Sequence, residues 1–149
     1  MADRYQGDPK LTLDENGANL TFKGGQPEMD RGLENAALIS LHTREGWAGN
    51  VFQRSPANRI GSKYEKTLEK PITLQVFNDV RNAAKSALQW MIDNRVASTV
   101  EAEVNNPTGK QVATMVLIQP PSEDPLVLLQ TKNGLNWISQ KLDPTHLRI

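Results

Sequence analysis

The segment from Thr73 to Asn94 constrains the fold most, because its apolar residues recur at the spacing of one helix face. Intervals of three and four residues bring side chains together on one side of an α-helix, which can then pack against a core. The other side is polar, and its residues are not arranged as a catalytic acid, base or nucleophile would be. The segment therefore predicts a long scaffold helix. Its apolar positions are Val76, Phe77, Val80, Ala84, Ala87, Leu88, Met91 and Ile92.

The residues around this helix predict a linker and a sheet. Lys63 to Lys70 carries both basic and acidic residues and ends at a proline, so we expect a linker there. Ser98 to Val104 alternates polar and apolar residues, as a strand with one solvated face does. Gln111 to Ile118 is apolar on both faces, which predicts a more central strand. Leu126 to Leu129 predicts a short further strand, and the residues from Gly134 onward show only weak patterning.

The N-terminal part predicts a hairpin followed by a shorter helix. Leu11 to Phe22 alternates on either side of Asn16-Gly17, and both of these residues tolerate positive φ in a tight turn. Gly24 to Pro27 interrupts this pattern, and Asp30 is a suitable N-cap for a helix that stops near Gly46. The apolar face of that helix consists of Leu33, Ala36, Ala37, Leu38 and Leu41.

The stretch from Trp47 to Ser62 mixes glycine and proline with scattered polar residues, which is typical of a loop. For Trp47 an exposed interface anchor and a core contact are equal alternatives, because flanking glycines leave the ring accessible. Trp90 is predicted to lie in the core, and Trp137 could take either position. We expect the loop to be fastened to the core by its few apolar side chains, which are Trp47, Val51, Phe52 and Ile60.

These elements predict the α+β class. We expect one small domain over residues 1–149, in which an antiparallel or mixed sheet packs against one long and one shorter helix. Residues 1–28 would form an N-terminal hairpin and arm, and residues 29–149 the core. A chain of 149 residues buries enough surface for one core without disulfides or metals.

Composition argues against several function classes. The chain has 17 Lys and Arg residues and 17 Asp and Glu residues, so it lacks the basic surplus of proteins that bind nucleic acid or anionic membranes. It has no cysteine, which excludes disulfides, thiolate nucleophiles and cysteine-ligated metals. The longest apolar run, Met115 to Ile118, is too short to span a bilayer. We therefore expect neither a nucleic-acid nor a membrane partner.

Candidate catalytic and metal-ligating residues are few. Neither His42 nor His146 has a cysteine or carboxylate at metal-ligand spacing, so no metal or other cofactor is predicted. Glycoside hydrolysis needs two carboxylates at a defined separation in space, which sequence does not reveal. Solvated charges are the favoured interpretation of the glutamates, and a small cell-wall hydrolase is the alternative function. The glutamates in question are Glu34, Glu45, Glu65 and Glu69.

Several short segments occur in the order that characterises one family. They are Leu11 to Phe22, Gly46-Trp47-Ala48-Gly49-Asn50, Gly61-Ser62-Lys63-Tyr64-Glu65, Ala87-Leu88-Gln89-Trp90-Met91-Ile92 and Val100 to Val104. With these segments the chain resembles the Mu-type phage tail proteins of the baseplate wedge, or sheath-initiator, superfamily of contractile tails. That superfamily includes the corresponding baseplate subunit of type VI secretion systems. Ala48 and Asn50 stand where many relatives carry a bulky aromatic residue and an acid.

The resemblance implies a non-enzymatic, structural component of the tail baseplate of a virion, assembled in the host cytoplasm. Its implied partners are other baseplate wedge proteins, tail tube or hub proteins, and the tail sheath protein. We expect the sheet formed by Ser98 to Val104 and Gln111 to Ile118 to dock the sheath by strand addition. The first of these strands has a polar face, and an unpaired edge favours a partner that covers it. The alternative is that the C-terminal segment already covers this edge.

Five residues are candidate interface contacts. The wider superfamily carries a Glu-Pro-Arg element after the helix tryptophan, and Asp93-Asn94-Arg95 is its nearest counterpart here. A guanidinium at the junction of helix and strand can bind carboxylates or carbonyls through two parallel hydrogen bonds. The alternative for Arg95 is a charge that stabilises a helix C-terminus. The candidates are Arg95, Asp93, Trp47, Thr99 and Glu101, and no catalytic residue is assigned.

Overall fold

The computed structural model describes residues 8–14, 17–20, 22–30, 33–52, 61–71, 73–106, 111–133 and 136–143. No helix within these ranges has the length and apolar character that a membrane crossing needs. The strands are β1 (Asp8–Pro9), β2 (Leu11–Asp14), β3 (Gly17–Leu20), β4 (Phe22–Lys23), β5 (Gln26–Pro27), β6 (Met29–Asp30), β7 (Thr99–Asn105), β8 (Val112–Gln119), β9 (Leu126–Asn133) and β10 (Asn136–Leu142). The helices are α1 (Glu34–His42), α2 (Tyr64–Thr67), α3 (Leu74–Ala87) and α4 (Gln89–Asp93), with a 3-10 helix at Ala48–Phe52.

The main sheet has four antiparallel strands in the order β10-β9-β8-β7. β8 lies between β9 and β7 and is buried at most positions, which confirms the prediction of a central strand. β7 alternates exposed and buried residues, which confirms its one solvated face. Ala102, Val116 and Leu128 stand side by side across three strands and are all buried. This face of the sheet forms one side of the core, and the helices form the other.

The predicted long helix is present as α3 and α4, which are separated at Leu88. Thr73 caps α3, because its hydroxyl accepts a hydrogen bond from the Val76 N–H at 3.2 Å. The Leu88 N–H bonds to the carbonyl oxygen of Lys85, three residues back, so the helix tightens at this turn. The predicted apolar stripe faces the core, with Val76, Val80, Ala84, Leu88 and Met91 all buried.

The described residues of the N-terminal region form three two-stranded antiparallel pairs, β1 with β6, β2 with β3, and β4 with β5. β2 and β3 form the predicted hairpin, in which Leu11 stands opposite Leu20. The prediction that Asp30 caps a helix is wrong, because its pairing with Asp8 keeps this stretch extended. α1 begins after Leu33 without a side-chain cap and ends at His42, earlier than expected. The predicted apolar face is confirmed, since Ala37, Leu38 and Leu41 are buried.

Two further segments differ from expectation. Lys63 to Lys70 is not a linker, because it contains α2 and buries Tyr64 and Leu68 in the core. Its charged residues lie between these two apolar positions and conceal a single helical turn. The region after Gly134 contains β10, a full strand of the main sheet. The described side chains of β10 are half-buried or exposed, and none is fully buried. The strand therefore shows no alternation of apolar and polar residues that sequence patterning could detect.

Candidate functional site

One edge of the main sheet is unpaired within the described part of the chain. β7 is the last strand of the sheet and pairs only with β8. The predicted interface residues Thr99 and Glu101 lie on this strand with exposed side chains. An edge strand carries N–H and C=O groups that a further strand can bond. β7 therefore offers the main-chain groups that strand addition uses.

The register determines which N–H groups of β7 point outward. Thr99 stands opposite Gln119, and the next residue, Pro120, has no N–H to donate. If Thr99 and Gln119 were a non-hydrogen-bonded pair, the ladder would need a bond from the missing N–H of Pro120. We therefore infer that Thr99 and Gln119 exchange hydrogen bonds, and in an antiparallel ladder this repeats at every second residue. By this rule Glu101 also bonds to β8. The N–H groups that point away from the sheet then belong to Val100, Ala102 and Val104.

The opposite edge of the sheet is β10, and the N-terminal hairpin lies next to it, with β2 in contact with β10. The C-terminal strand β10 thus occupies the edge far from β7, and among the described residues that follow β10 none covers β7.

A buried side chain, Asn35 of α1, binds the N-terminal arm through two hydrogen bonds. Its amide oxygen accepts from the Leu11 N–H at 2.9 Å, and its amide nitrogen donates to the Pro9 carbonyl oxygen at 2.7 Å.

Arg95 and Asp93 lie where α4 ends and the chain turns towards β7. Both side chains are exposed, and the carboxylate of Asp93 accepts a hydrogen bond from Gln89 at 3.1 Å. Arg95 has a φ of 60°, and it is the one non-glycine residue with positive φ in the described part of the chain. The guanidinium of Arg95 forms no ion pair with any residue that the structure describes.

The loop around Trp47 exposes its apolar side chains. Trp47 is 49% exposed, Val51 80% and Phe52 84%. The prediction that they fasten the loop to the core is therefore wrong, and Ile60 lies outside the described residues. The local contact of the Trp47 ring is with Gly49, where an added Cβ would collide with the ring. This packing holds the indole over its own turn and leaves much of it open to solvent.

The five predicted interface residues occupy three places. Thr99 and Glu101 share β7, Asp93 and Arg95 precede that strand, and Trp47 lies on a separate loop. Across the described ranges, no hydrogen bond or ion pair joins any two of the five. They are therefore candidates for contacts with partners at distinct surfaces.

A polar cluster that sequence reasoning missed lies between α1, α2 and the sheet. Nε2 of His42 lies 2.8 Å from Oε1 of Gln130 on β9, and Nδ1 lies 3.3 Å from Oε1 of Glu65 on α2. Arg44 forms ion pairs with Glu65 at 3.6 Å and with Glu69 at 2.5 Å. No sequence spacing indicates this cluster, because its members come from elements far apart in the chain.

The electrostatics of this cluster are those of a structural contact. Burial raises the pKa of Glu65, but hydrogen bonds and charge from His42 and then Arg44 lower it by more, so the pKa lies below its usual value. A general acid for glycoside hydrolysis needs a raised pKa instead. Both ring nitrogens of His42 lie within hydrogen-bonding distance of other members of the cluster.

Three aromatic rings pack beside the polar cluster. The Trp137 ring centroid lies 4.8 Å from that of His42 and 5.3 Å from that of Tyr64. Tyr64 is fully buried, and this burial raises the pKa of its hydroxyl. Trp137 is half-buried against the core, which favours the core alternative for this residue. Trp90 also packs against the core, as predicted, and its Nε1 donates to Ser40 at 2.9 Å.

A cleft of about 530 Å³ lies between α2, α3 and the connection from α1 to α2. Its walls carry both signs of charge, with Lys63 and Lys70 against Glu45 and Asp79. This mixture favours no one class of charged ligand. In the ranges that the structure describes, no three His, Cys, Asp or Glu residues are grouped as a metal site would require.

The fold and its surface define a small α+β domain with one sheet edge that is unpaired in the part of the chain that the structure describes. A sequence profile of the family described as phage protein GP46 matches residues 27–124, more than half of the chain. The chain therefore belongs to this phage protein family. It is 28% identical over 99 residues to the Mu-like prophage FluMu protein gp46 of Haemophilus influenzae, covering 62% of this chain and 72% of that protein. These matches confirm the Mu-type phage part of the resemblance. No solved structure matches the chain.

Proposed function

We propose that this protein is a structural component of a contractile phage tail, located in the baseplate wedge of the virion. In this role it joins other wedge proteins to the first ring of tail-sheath subunits and initiates sheath assembly. Membership of the phage protein GP46 family supports a phage role. The order of the short segments shared with baseplate wedge proteins supports the tail assignment.

The observation that carries the proposal is the outer edge of β7, which pairs with no further strand among the residues that the structure describes. Strand addition suits a repeating sheath, because main-chain hydrogen bonds form with little demand on sequence. The outward N–H groups of Val100, Ala102 and Val104 are spaced to bond such a strand. The far edge of the sheet is flanked by β2 and is less suited to this role.

The remaining candidates fit contacts with the other wedge proteins and with tube or hub proteins. Arg95 and Asp93 place two exposed side chains of opposite charge at the end of α4. Trp47 offers a ring that is already held in place over Gly49, so little side-chain freedom is lost on binding. Each surface can therefore take a separate partner while β7 takes the sheath.

The direct test is a proline at Val104. Val104→Pro removes an outward N–H and obstructs pairing, while the bonds of β7 to β8 remain. A proline at Thr99 or Glu101 is less informative, because by the register it would break a bond to β8. Val104→Ala is the matched control, since it shortens the same half-buried side chain and keeps the N–H.

Phage that depend on each variant would be examined for tail assembly, and circular dichroism melts would establish that both variants fold. We expect sheath of normal length with Val104→Ala. With Val104→Pro we expect baseplates and tubes that lack attached sheath. Normal sheath on tails that contain folded Val104→Pro would show that attachment does not use this edge.

A further inference from the structure

We infer that β7 selects its incoming strand by charge, and that the strand it takes alternates apolar with basic residues. This inference rests on the proposed strand addition at the same edge. It adds the chemistry of the partner, and it also disfavours a second copy of this chain as the occupant.

The geometry places two carboxylates where they control pairing. Glu101 and Glu103 project from the exposed face of β7, and both are exposed. Because their N–H groups bond to β8, they form non-hydrogen-bonded pairs with an added antiparallel strand. Side chains in such pairs approach more closely than those in hydrogen-bonded pairs. A cation on the incoming strand is therefore favoured opposite each glutamate, and an anion is disfavoured.

The surroundings compensate this negative charge only in part. β7 itself contains no Lys or Arg, and its neighbours on β8 opposite Glu101 and Glu103 are Leu117 and Met115. Lys85 of α3 reaches Glu101 with its Nζ at 3.5 Å, but both side chains are exposed and screened by water. Glu103 forms no ion pair with any residue that the structure describes.

The other face of β7 sets the alternate positions of the incoming strand. Val100 and Ala102 are buried and Val104 is half-buried, all on the side that α3 contacts. In an added strand that continues the sheet, every second side chain would lie beside these residues, on the face of the sheet that α3 covers. Apolar residues suit those positions. The preferred occupant therefore reads apolar, basic, apolar, basic along the strand.

The same charges disfavour pairing between two copies of the protein. In the antiparallel register that overlaps two β7 strands fully, Glu101 of each copy faces Glu103 of the other. Like charges directly opposite are destabilising in a sheet. The edge can thus stay open to a basic strand while resisting self-association, which is one way in which natural edge strands avoid aggregation.

The test uses the whole protein, labelled with ¹⁵N, and capped synthetic peptides at about 20 mM salt, where charge screening is weak. One peptide alternates valine with lysine and a second alternates valine with glutamate. A third carries the same lysines between prolines, so it has the charge but cannot pair. Binding is followed through the amide signals of Val100, Ala102 and Val104.

We expect the valine-lysine peptide to bind roughly tenfold more tightly than the valine-glutamate peptide. The preference should reverse in the double variant Glu101→Lys with Glu103→Lys. Equal binding of both peptides would overturn charge selection and leave strand addition intact. Equal binding of the proline peptide would show simple charge attraction and overturn the inference. If neither valine peptide shifts these amides, strand addition at this edge is itself wrong.

Discussion

The backbone N–H of Val96 lies 2.8 Å from the carbonyl oxygen of Met91, and this bond closes the C-terminus of α4. The N–H of Arg95 bonds to the carbonyl oxygen of Ile92 at 3.0 Å, so the two bonds form a Schellman motif. In this motif the donor of the second bond is usually glycine, because that residue must adopt positive φ. Arg95 occupies that position with a φ of 60°.

We predict that Arg95→Gly raises the free energy of unfolding by up to about 1 kcal/mol, because glycine adopts positive φ without steric cost. Arg95→Ala keeps the unfavourable conformation and should change stability by only a few tenths of a kcal/mol. Denaturant unfolding measures both values. If both variants fold but impair tail assembly, the guanidinium has an interface role; normal phage yield from both would contradict that role.

We predict that Leu88→Ala lowers the free energy of unfolding by about 2–5 kcal/mol, because Leu88 is fully buried where α3 meets α4. Leu74→Ala is the matched control, since the same residue type is 82% exposed at the start of α3. It should cost less than about 0.5 kcal/mol. Similar losses in the two variants would mean that the helix does not pack as described.

We predict that the stability of the protein falls in acid because of Glu65. Its pKa is lowered in the fold from an ordinary value of 4.5, so the ionised group stabilises the protein above that pH. This stabilisation is lost as the pH falls below 4.5 and through the lowered pKa of the folded state. Glu65→Gln should therefore reduce the slope of stability against pH in this acid window. Glu123→Gln, at an exposed loop position, is the control. An unchanged slope in Glu65→Gln would contradict the ion-pair account.

Charge selection at β7 predicts a gain of self-association from one substitution. With Glu103→Lys, the new lysine of one copy faces Glu101 of the other at two places in the fully overlapping register. The variant should therefore dimerise more strongly than the natural protein in sedimentation equilibrium. Changing both Glu101 and Glu103 to lysine restores like-charge repulsion and should lower self-association to the level of the natural protein. Equal self-association of all three proteins would show that these charges do not control the edge.

Sequence patterning predicted the parts of the fold that repeat regularly. The apolar stripe of α3 and α4 and the alternation of β7 were both sufficient, because each element has one buried and one solvated face. The prediction of a helix cap at Asp30 was wrong, because a favourable cap residue does not start a helix when its backbone pairs with another strand. The single turn of α2 was missed because one helical turn has too few positions to show a period.

The candidate site was only partly accessible to sequence reasoning. The polar face of β7 indicated an edge, but the outward N–H groups followed only from its register with Gln119 and Pro120. The exposure of Val51 and Phe52 depends on how the 3-10 helix turns, which no local pattern specifies. The contact of His42 with Gln130 joins residues 88 positions apart.

The central claim is that β7 receives a strand from the tail sheath. A cryo-EM map of the intact tail, at a resolution that traces the main chain, tests it most directly. The account predicts a strand of a sheath subunit bonded to Val100, Ala102 and Val104, with basic side chains opposite Glu101 and Glu103. A β7 edge that faces solvent in the assembled tail, or is covered by something other than a strand, would contradict it.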